Sequence, residues 1–414
     1  MCAVVLAIGF AFKAQCTSPE GWDGRQYERL CYNDIQALYG ARGIDQNVFP
    51  YTSGGLIGGD LGPGVLEYPV LTGVFMWATG LPVNDFNQYL RVSALALAPF
   101  GLLVAYLLAR MTAWRALMWA AAPALILYAF HNWDLLAVAA ATGGFYAWHR
   151  GRLGWAGVLF GVGAAFKLYP VLFLAPLLLD ALARGDRRGA AVGAGAGVGT
   201  LALVNLPFVL IDSEGWWAPF QFHRARGPNW DNVWTWRGPD FVTPEQAALS
   251  PGEINLISFV LVGLFGLAAL GYGWRRAGRE GTFPFVAVCG ALLVAFLAFN
   301  KVHSPQYALW LLPFFSLLSV NIAWWAGYAL VDLVVYVGVF RWFYDFVYQQ
   351  TDLTTAKRAM VLGVWARGLL LVVLFVVFLR ARASIKRGEE GESEVVSHPP
   401  ARVGVQGDQL PAQG

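Results

Sequence analysis

Long apolar stretches, interrupted only by short polar breaks, follow one another along this chain from its first residues to about Leu379. Charged side chains make up only 13% of the 414 residues, whereas 57% of the residues are hydrophobic. A soluble domain has about 25% charged residues, so this chain is too poor in charge to cover a globular surface in water. The sequence therefore predicts an all-α polytopic membrane protein. It excludes a cytosolic enzyme, a nucleic-acid-binding protein and a secreted domain.

The apolar stretches define the predicted transmembrane helices. Several contain fewer than the ~20 residues that cross a full bilayer, and short helices are tolerated where protein surrounds them. The stretch 65–80 is also apolar, but Glu67 and Pro69 within it favour a position along the membrane surface. The predicted spans are 1–15, 92–109, 116–130, 135–148, 154–166, 170–182, 189–211, 254–273, 283–299, 306–320, 322–340 and 359–379.

Basic residues form clusters between the spans, and the positive-inside rule uses such clusters to orient a chain. All of them reach the cytoplasm only if 65–80 does not cross and if 154–182 forms two short helices broken at Tyr169 and Pro170. This topology predicts about twelve crossings with both ends of the chain in the cytoplasm. The clusters are Arg110/Arg115, Arg150/Arg152, Arg184/Arg187/Arg188, Arg275/Arg276/Arg279 and Arg380/Arg382/Lys386/Arg387.

The same topology places two large polar loops, 16–91 and 212–253, on the outer face of the membrane. Three shorter polar breaks, at 131–134, 167–170 and 300–306, lie on that face as well. Because all of these segments converge on one side of the membrane, we expect an active site that faces outwards.

Residues 1–387 form the predicted membrane domain, and 388–414 form a predicted disordered cytoplasmic tail. The tail is rich in Glu, Gly and Pro and has no apolar period. Cys16 and Cys31 lie in the first outer loop and can form a disulfide if that loop faces an oxidising compartment. The four cysteines follow no metal-ligand spacing, and the sequence predicts neither a metal nor a cofactor.

Cationic side chains at the outer breaks are candidates for binding an anion. Lys167 and Lys301 lie between apolar runs beside helix-breaking prolines, where an ionisable group is costly and suggests function. Each lysine either holds a phosphate or carboxylate in a low-dielectric site or extends to the lipid headgroups. His303 either donates to the same anion or is an ordinary surface histidine. Arg224 and Arg226, in a tryptophan-rich loop, can hold phosphate through bidentate contacts, although tryptophan at an interface usually serves as an anchor.

Carboxylates near the outer face supply the candidate general base. Asp34 follows the first helix in a surface loop, where a carboxylate can take the proton of an attacking hydroxyl group. The alternative role of Asp34 is to cap a helix that begins at about Ile35. Glu67 has a similar ambiguity, and Asp134 lies at a helix start where capping explains it equally well.

Four segments together resemble signatures of glycosyltransferase family 87, the polyprenyl-phosphate-mannose-dependent mannosyltransferases of actinobacteria. The resemblance runs from about residue 16 to residue 320, and its elements are specific in combination rather than singly. It implies a C-type glycosyltransferase fold, a multi-helix bundle with two large outer loops. The segments are EYPVLTG (67–73), HNWDLLAVA (131–139), AAFKLYPVLFL (164–174) and NKVHSPQYALWLLP (300–313).

The resemblance implies a catalytic carboxylate early in the first outer loop, where Asp34 is the best positional match. A single acid stands there rather than an acidic pair, which weakens the case for a divalent metal. We expect a donor phosphate to meet the cationic residues Lys167, Lys301, His303, Arg224 and Arg226. The other expected substrate-binding residues are Glu67, Tyr68, His131, Asn132, Asp134, Tyr169 and Gln306.

The expected activity is transfer of a sugar, with mannose as the first choice, from a polyprenyl phosphate to a hydroxyl group of an extracytoplasmic glycolipid or glycan. The anomeric configuration would invert, and the enzyme would lie in a bacterial plasma membrane. One alternative keeps the scaffold and uses polyprenyl-phosphate arabinofuranose. Another is a lipid-linked-sugar flippase or transporter without covalent chemistry, and a structural partner in the cell envelope ranks last. The clustering of charges on one face favours an enzyme.

Overall fold

The computed structural model describes residues 1–18, 22–236, 249–352 and 354–385. Within these ranges the chain is a bundle of helices with one two-stranded antiparallel hairpin, β1 (Leu56–Ile57) and β2 (Asp60–Leu61). The helices of the first half are α1 (Cys2–Ala14), α2 (Arg25–Glu28), α3 (Asp34–Ala41), α4 (Val70–Gly80), α5 (Phe86–Thr112), α6 (Leu117–Ala120), α7 (Pro123–Tyr128), α8 (Asp134–His149) and α9 (Leu153–Phe166). Those of the second half are α10 (Leu174–Ala183), α11 (Arg187–Ile211), α12 (Ser213–Ala225), α13 (Pro251–Glu280), α14 (Phe285–Phe299), α15 (Ala308–Leu317), α16 (Ile322–Tyr348) and α17 (Thr355–Arg380). Short 3-10 helices occupy Ala113–Ala116, Tyr169–Phe173 and Pro305–Tyr307.

Five helical segments are long and apolar enough to cross a bilayer: Phe86–Ala120, α11, α13, α16 and α17. Shorter apolar helices, among them α1, α9 and α14, complete the bundle. Short helices are stable in a membrane when neighbouring protein surrounds them, and α14 is buried along most of its length. The chain is therefore a multi-pass, all-α membrane protein, as the sequence predicts.

Each predicted span overlaps a helix or a run of short helices. The predicted break at Tyr169 and Pro170 is present, because α9 ends at Phe166 and a 3-10 helix begins at Tyr169. In the stretch 65–80, α4 begins directly after Pro69 and has 11 residues. Such a helix is about 16 Å long, roughly half of the hydrocarbon thickness. That this stretch does not cross the membrane remains a prediction.

Glycines bring α9 and α11 into close contact. A Cβ atom at Gly157 would lie 1.9 Å from the carbonyl oxygen of Gly193, and one at Gly161 would lie 2.5 Å from that of Gly197. Small residues let membrane helices approach through their backbones. This contact fixes α9, and Lys167 follows directly at its end.

One end of the bundle uses basic side chains to complete helix ends. Arg115 donates to the carbonyl oxygen of Leu318 at 2.6 Å, just after α15 ends. Arg276 donates to the carbonyl oxygens of Leu379 and Ala381 at 3.1 Å each, where α17 ends. The last carbonyl groups of a helix lack partners within it, so these arginines satisfy them. The predicted tail, 388–414, lies outside the described residues.

Candidate active site

Breaks between helices meet around two adjoining cavities at the other end of the bundle. The large cavity has a volume of about 890 Å³ and the small cavity one of about 360 Å³. The segments at 131–134, 167–170 and 300–306, and both polar loops, contribute residues to them. The predicted convergence of these segments is thus present in the fold. Both cavities are lined by Tyr32, Asp34, Arg226, Asn229, Ser304 and Gln306.

Asp34 lies where the two cavities join. Asn33 is the N-cap of α3, and its Oδ1 accepts a hydrogen bond from the Gln36 amide at 2.8 Å. Asp34 therefore does not cap the helix, and that alternative is wrong. Its Oδ2 accepts a hydrogen bond from Asn132 Nδ2 at 2.7 Å. Enclosure by protein raises the pKa of Asp34 to about 6. The hydrogen bond from Asn132 lowers this pKa, but by less than the enclosure raises it.

Asn132 is fully buried and connects three site residues. Its Nδ2 donates to the carboxylate of Asp34 at 2.7 Å and to the Tyr68 hydroxyl group at 2.8 Å. Its Oδ1 accepts from Lys167 Nζ at 3.0 Å. A carboxylate only accepts and an ammonium group only donates, so these neighbours set the orientation of the amide. Asn132 thereby joins the negative and positive parts of the site through a neutral group.

Lys167 is held inside the protein with only 5% of its surface exposed, so it does not extend to the headgroups. Its Nζ lies 4.0 Å from the centre of the Tyr68 ring and 3.5 Å from Asp134 Oδ2. Asp134 in turn accepts a hydrogen bond from Trp310 Nε1 at 2.6 Å. Trp133, not Asp134, occupies the N-cap position of α8, so the capping interpretation of Asp134 is also wrong. Asp134 is the counter-ion of Lys167.

Lys301 lines the large cavity and organises the loop of the two arginines. Its Nζ donates to the carbonyl oxygens of Arg226 at 2.7 Å and Arg224 at 3.3 Å. Burial, with a contribution from Arg226, lowers the pKa of Lys301 to about 8. The guanidinium group of Arg226 bonds to Asn229 Oδ1 at 2.8 Å. Lys167, Lys301 and Arg224 line only the large cavity, whereas Arg226 faces both.

His303 is not among the residues that line either cavity. It is buried, and its Nδ1 lies 3.0 Å from the carbonyl oxygen of Leu297. It is therefore not a surface histidine, and the fold does not bring it to the cations of the large cavity as expected.

The remaining predicted substrate-binding residues are distributed over the two cavities. Glu67 lines the large cavity and forms an ion pair with Arg42 at 2.8 Å. Tyr169 also lines it and stacks on Trp310 with the ring centres 4.3 Å apart. His131 lines the small cavity, and Gln306 lines both.

Lys13 lines neither cavity but bonds to residues beside Asp34, and none of the sequence motifs includes it. Its Nζ donates to the Tyr32 carbonyl oxygen at 2.7 Å and to the Tyr336 hydroxyl group at 2.8 Å. It also lies 3.3 Å from His131 Nδ1. The sequence signal for Lys13 was a lone lysine at the end of an apolar helix. Because an ionisable side chain is energetically costly in a membrane segment, such a residue is a functional candidate.

Covalent and backbone links hold the segment before Asp34. Cys16 and Cys31 form a disulfide, as the sequence allows. The Asp34 amide donates to the His131 carbonyl oxygen at 2.7 Å. The general-base candidate is thus joined to the end of α1 and to the turn before α8.

The fold and site define a multi-pass helical membrane protein whose cationic cavity adjoins the half-buried carboxylate of Asp34. The sequence profile of glycosyltransferase family 87 matches residues 66–299, more than half of the chain, and the chain belongs to this family of membrane glycosyltransferases. The match includes Asn132 and Lys167, while Asp34 and Gln306 lie outside it. No curated protein sequence matches the chain.

Proposed function

We propose that this enzyme transfers a sugar, mannose in the first instance, from a polyprenyl phosphate to a hydroxyl group of an extracytoplasmic glycolipid or glycan. The observation that carries the proposal is the position of Asp34. It lies at the junction of a cavity lined by several cations and a smaller cavity with aromatic walls. A base at that junction can contact an acceptor on one side and a phosphate-linked sugar on the other.

The large cavity suits the lipid donor. Its polar part carries Lys167, Lys301 and Arg224, whose charges match a phosphate group. Its apolar part includes Phe259 and Val262 of α13, and Phe259 is 78% exposed on the outside of the bundle. A cavity that continues onto a membrane-facing helix lets a polyprenyl chain remain in the bilayer while its phosphate lies inside the protein.

The reaction is a single displacement at the anomeric carbon. The acceptor hydroxyl group attacks C1, Asp34 takes its proton, and the bond from C1 to the phosphate oxygen breaks. The new glycosidic bond has inverted configuration, and the polyprenyl phosphate leaves with an additional negative charge. Fixed cations lower the barrier most where charge develops. Lys167 is already ordered by Asn132 and Asp134, so it needs little reorganisation.

The proposed orientation places both cavities outside the bacterial plasma membrane. The basic clusters follow or precede helices at the end of the bundle that lacks the cavities, which fits the positive-inside rule. The disulfide between Cys16 and Cys31 fits an oxidising compartment. The proposed crossings, about twelve, are α1, α5, the run 113–128, α8, α9, the run 169–183, α11, α13, α14, the run 305–317, α16 and α17.

The test is transfer by membranes that contain the enzyme, with radiolabelled polyprenyl-phosphate mannose as donor. Asp34→Asn keeps the shape of the side chain and removes the base, so we expect product formation to fall by about 100-fold or more. Asp45→Asn is a matched control, because Asp45 is an exposed acid in the same loop, and its transfer should equal that of the wild type. Undiminished transfer by Asp34→Asn would remove Asp34 from the role of base.

The same assay separates the alternatives. An arabinofuranosyltransferase would use polyprenyl-phosphate arabinofuranose and leave the mannose donor untouched. A flippase would move the labelled donor across sealed vesicles without forming product. The proposal uses side chains alone as its source of positive charge, and the absence of a metal remains a prediction that transfer in the presence of EDTA would check.

A further inference from the structure

Arg367 is a buried cation near the middle of α17, and the mechanism above does not use it. Only 2% of its surface is exposed. It lies roughly 18 Å along the helix from Thr355, at 1.5 Å per residue. An arginine inside an apolar helix is energetically costly, so it is a functional candidate by default. The contacts of its guanidinium group indicate which function it has.

The guanidinium group of Arg367 reaches two different parts of the fold. Its Nη1 lies 3.4 Å from Asp332 Oδ1 of α16, and Asp332 Oδ2 accepts a hydrogen bond from the Tyr128 hydroxyl group at 2.8 Å. Its Nη2 donates to the backbone carbonyl oxygen of Asp231 and lies 3.6 Å from the carboxylate of the same residue. Arg367 thereby joins α7, α16 and α17 to the segment that follows α12.

Residues 229–236 of that segment enter the bundle instead of lying on its surface. A Cβ atom at Gly368 of α17 would lie 2.9 Å from Val233 Cγ1, so the glycine makes room for the segment. Trp234 Nε1 donates to the carbonyl oxygen of Phe299 at 3.0 Å, where α14 ends. Irregular backbone among membrane helices is tolerated where protein encloses it. The segment is therefore held by contacts with helices, and Arg367 supplies its charged contact.

The turn that Arg367 holds is connected to a cation of the cavities. The amide of Asn232 donates to the carbonyl oxygen of Asn229 at 3.1 Å, which closes a β-turn around Asp231. Asn229 Oδ1 accepts a hydrogen bond from the Arg226 guanidinium group at 2.8 Å, and both residues line the two cavities. A chain of hydrogen bonds thus runs from Arg367 through this turn to Arg226.

We propose that Arg367 is a positioning residue: by fixing the turn at 229–232 it holds the Arg226 guanidinium group at the junction of the cavities, in place for the phosphate of a lipid donor. This role rests on the proposed function. Lys301 fixes the same loop only through the backbone carbonyl oxygens of Arg224 and Arg226, so the Arg226 side chain needs a second support. A side chain that is ordered before the ligand arrives loses less freedom on binding. Arg367 therefore strengthens donor binding without contacting the donor.

The test is a double-mutant cycle between Arg367 and Arg226, measured with the full-length enzyme in nanodiscs. Arg367→Lys keeps the charge beside Asp332, but its single nitrogen cannot serve Asp332 and the Asp231 carbonyl group together. We expect the KM for polyprenyl-phosphate mannose to rise by about tenfold while kcat changes by less than about twofold. In an Arg226→Gln background the same substitution should leave the KM almost unchanged, because the side chain that it positions is gone.

A control variant and a measurement without substrate complete the test. Arg358→Lys is a matched control, because Arg358 is an exposed arginine on the same helix, and its KM should equal that of the wild type. Hydrogen–deuterium exchange of residues 226–236 should be faster in Arg367→Lys and unchanged in Arg358→Lys. If Arg367→Lys does not fold, Arg367→Met combined with Asp332→Asn removes a cation and an anion together and takes its place.

Two results would overturn the positioning role. One is additivity, in which Arg367→Lys raises the KM by the same factor with and without Arg226. The other is a lower melting temperature with an unchanged KM, which is the result of a purely structural role.

Failure of the proposed function would be visible separately. If the wild type transfers no sugar, the same cycle is measured on the binding of undecaprenyl phosphate, a polyprenyl phosphate without a sugar. Coupling between Arg367 and Arg226 in that assay would keep the positioning role and refute only the transfer. Absence of coupling there would overturn both.

Discussion

The two ends of the helical bundle use their cations in different ways. At the end without cavities, Arg115 and Arg276 donate to backbone carbonyl groups where helices finish. At the cavity end, Lys167 has a neutral amide, an aromatic ring and a carboxylate around it and lines an open space. The difference shows that a cation held by hydrogen bonds within the fold does not by itself mark function. The distinguishing feature is whether the cation faces a cavity.

Lys301 lies between these two cases. It lines the large cavity as Lys167 does, but its Nζ donates to two backbone carbonyl oxygens as the arginines at the other end do. Its charge is available to a ligand and it also shapes the loop of Arg224 and Arg226. The following predictions test how far the contrast between the two ends holds.

The largest effect is expected at Lys167. Lys167→Met removes a cation from the proposed phosphate site, and we expect transfer to fall by about 100- to 1,000-fold. The variant also leaves Asp134 buried without its counter-ion, which destabilises the fold by several kcal/mol, about 3–5 in comparable cases. Lys167→Met combined with Asp134→Asn removes both charges and controls for folding. Full transfer by this folded double variant would show that the cation facing the cavity is not needed for transfer, which contradicts the contrast drawn between the two ends.

The pH dependence should be bell-shaped. The pKa of Asp34 is raised to about 6, and a base must be deprotonated, so transfer falls as the pH drops below that value. At pH 5 about a tenth of the molecules carry the free base. The pKa of Lys301 is lowered to about 8. Above that pH Lys301 loses its charge and no longer stabilises the donor phosphate. Lys301→Arg should abolish the alkaline decline alone, and a flat profile from pH 5 to 7 would count against Asp34.

Lys13 should act as a positioning residue. Lys13→Met releases the Tyr32 carbonyl group and His131, which flank Asp34, so we expect kcat to fall roughly tenfold while the KM for the donor stays the same. Lys13→Arg keeps a hydrogen-bond donor at this position and should restore part of the rate. A matching rise in the KM for the donor, or no rescue by Lys13→Arg, would reduce Lys13 to a purely structural role.

The smallest effect on transfer is expected at the opposite end. Arg115→Gln removes hydrogen bonds to the carbonyl groups of Phe315 and Leu318, which should lower the free energy of unfolding by about 1–3 kcal/mol. Transfer per folded molecule should change by less than about twofold. A thermal melt in nanodiscs gives the first quantity and the radiolabel assay the second. Arg110→Gln, at an exposed arginine, should change neither.

Much of the fold was predictable because it follows from local chemistry. Apolar runs require helices in a membrane, and the break at Tyr169 and Pro170 follows from a proline that cannot continue α9. Lys167 and Lys301 were identifiable because a charged side chain between apolar runs is costly. Asp34 was identifiable by its position early in the first outer loop and by the family resemblance. The contacts of these residues were not identifiable, because each partner comes from a different helix.

The sequence by itself determined that this chain is a multi-pass helical protein, where its helices break, and which rare charges lie at the breaks. The period and length of apolar runs are local properties, and the bilayer enforces them on any fold. Only the tertiary structure decided that Asn33 caps α3 and leaves Asp34 free, that Asn132 joins Asp34 to Lys167, and that His303 lies away from the cavities. Those outcomes depend on how distant helices pack, and hydrogen-bond geometry over a few ångströms has no signature in a linear pattern of residues.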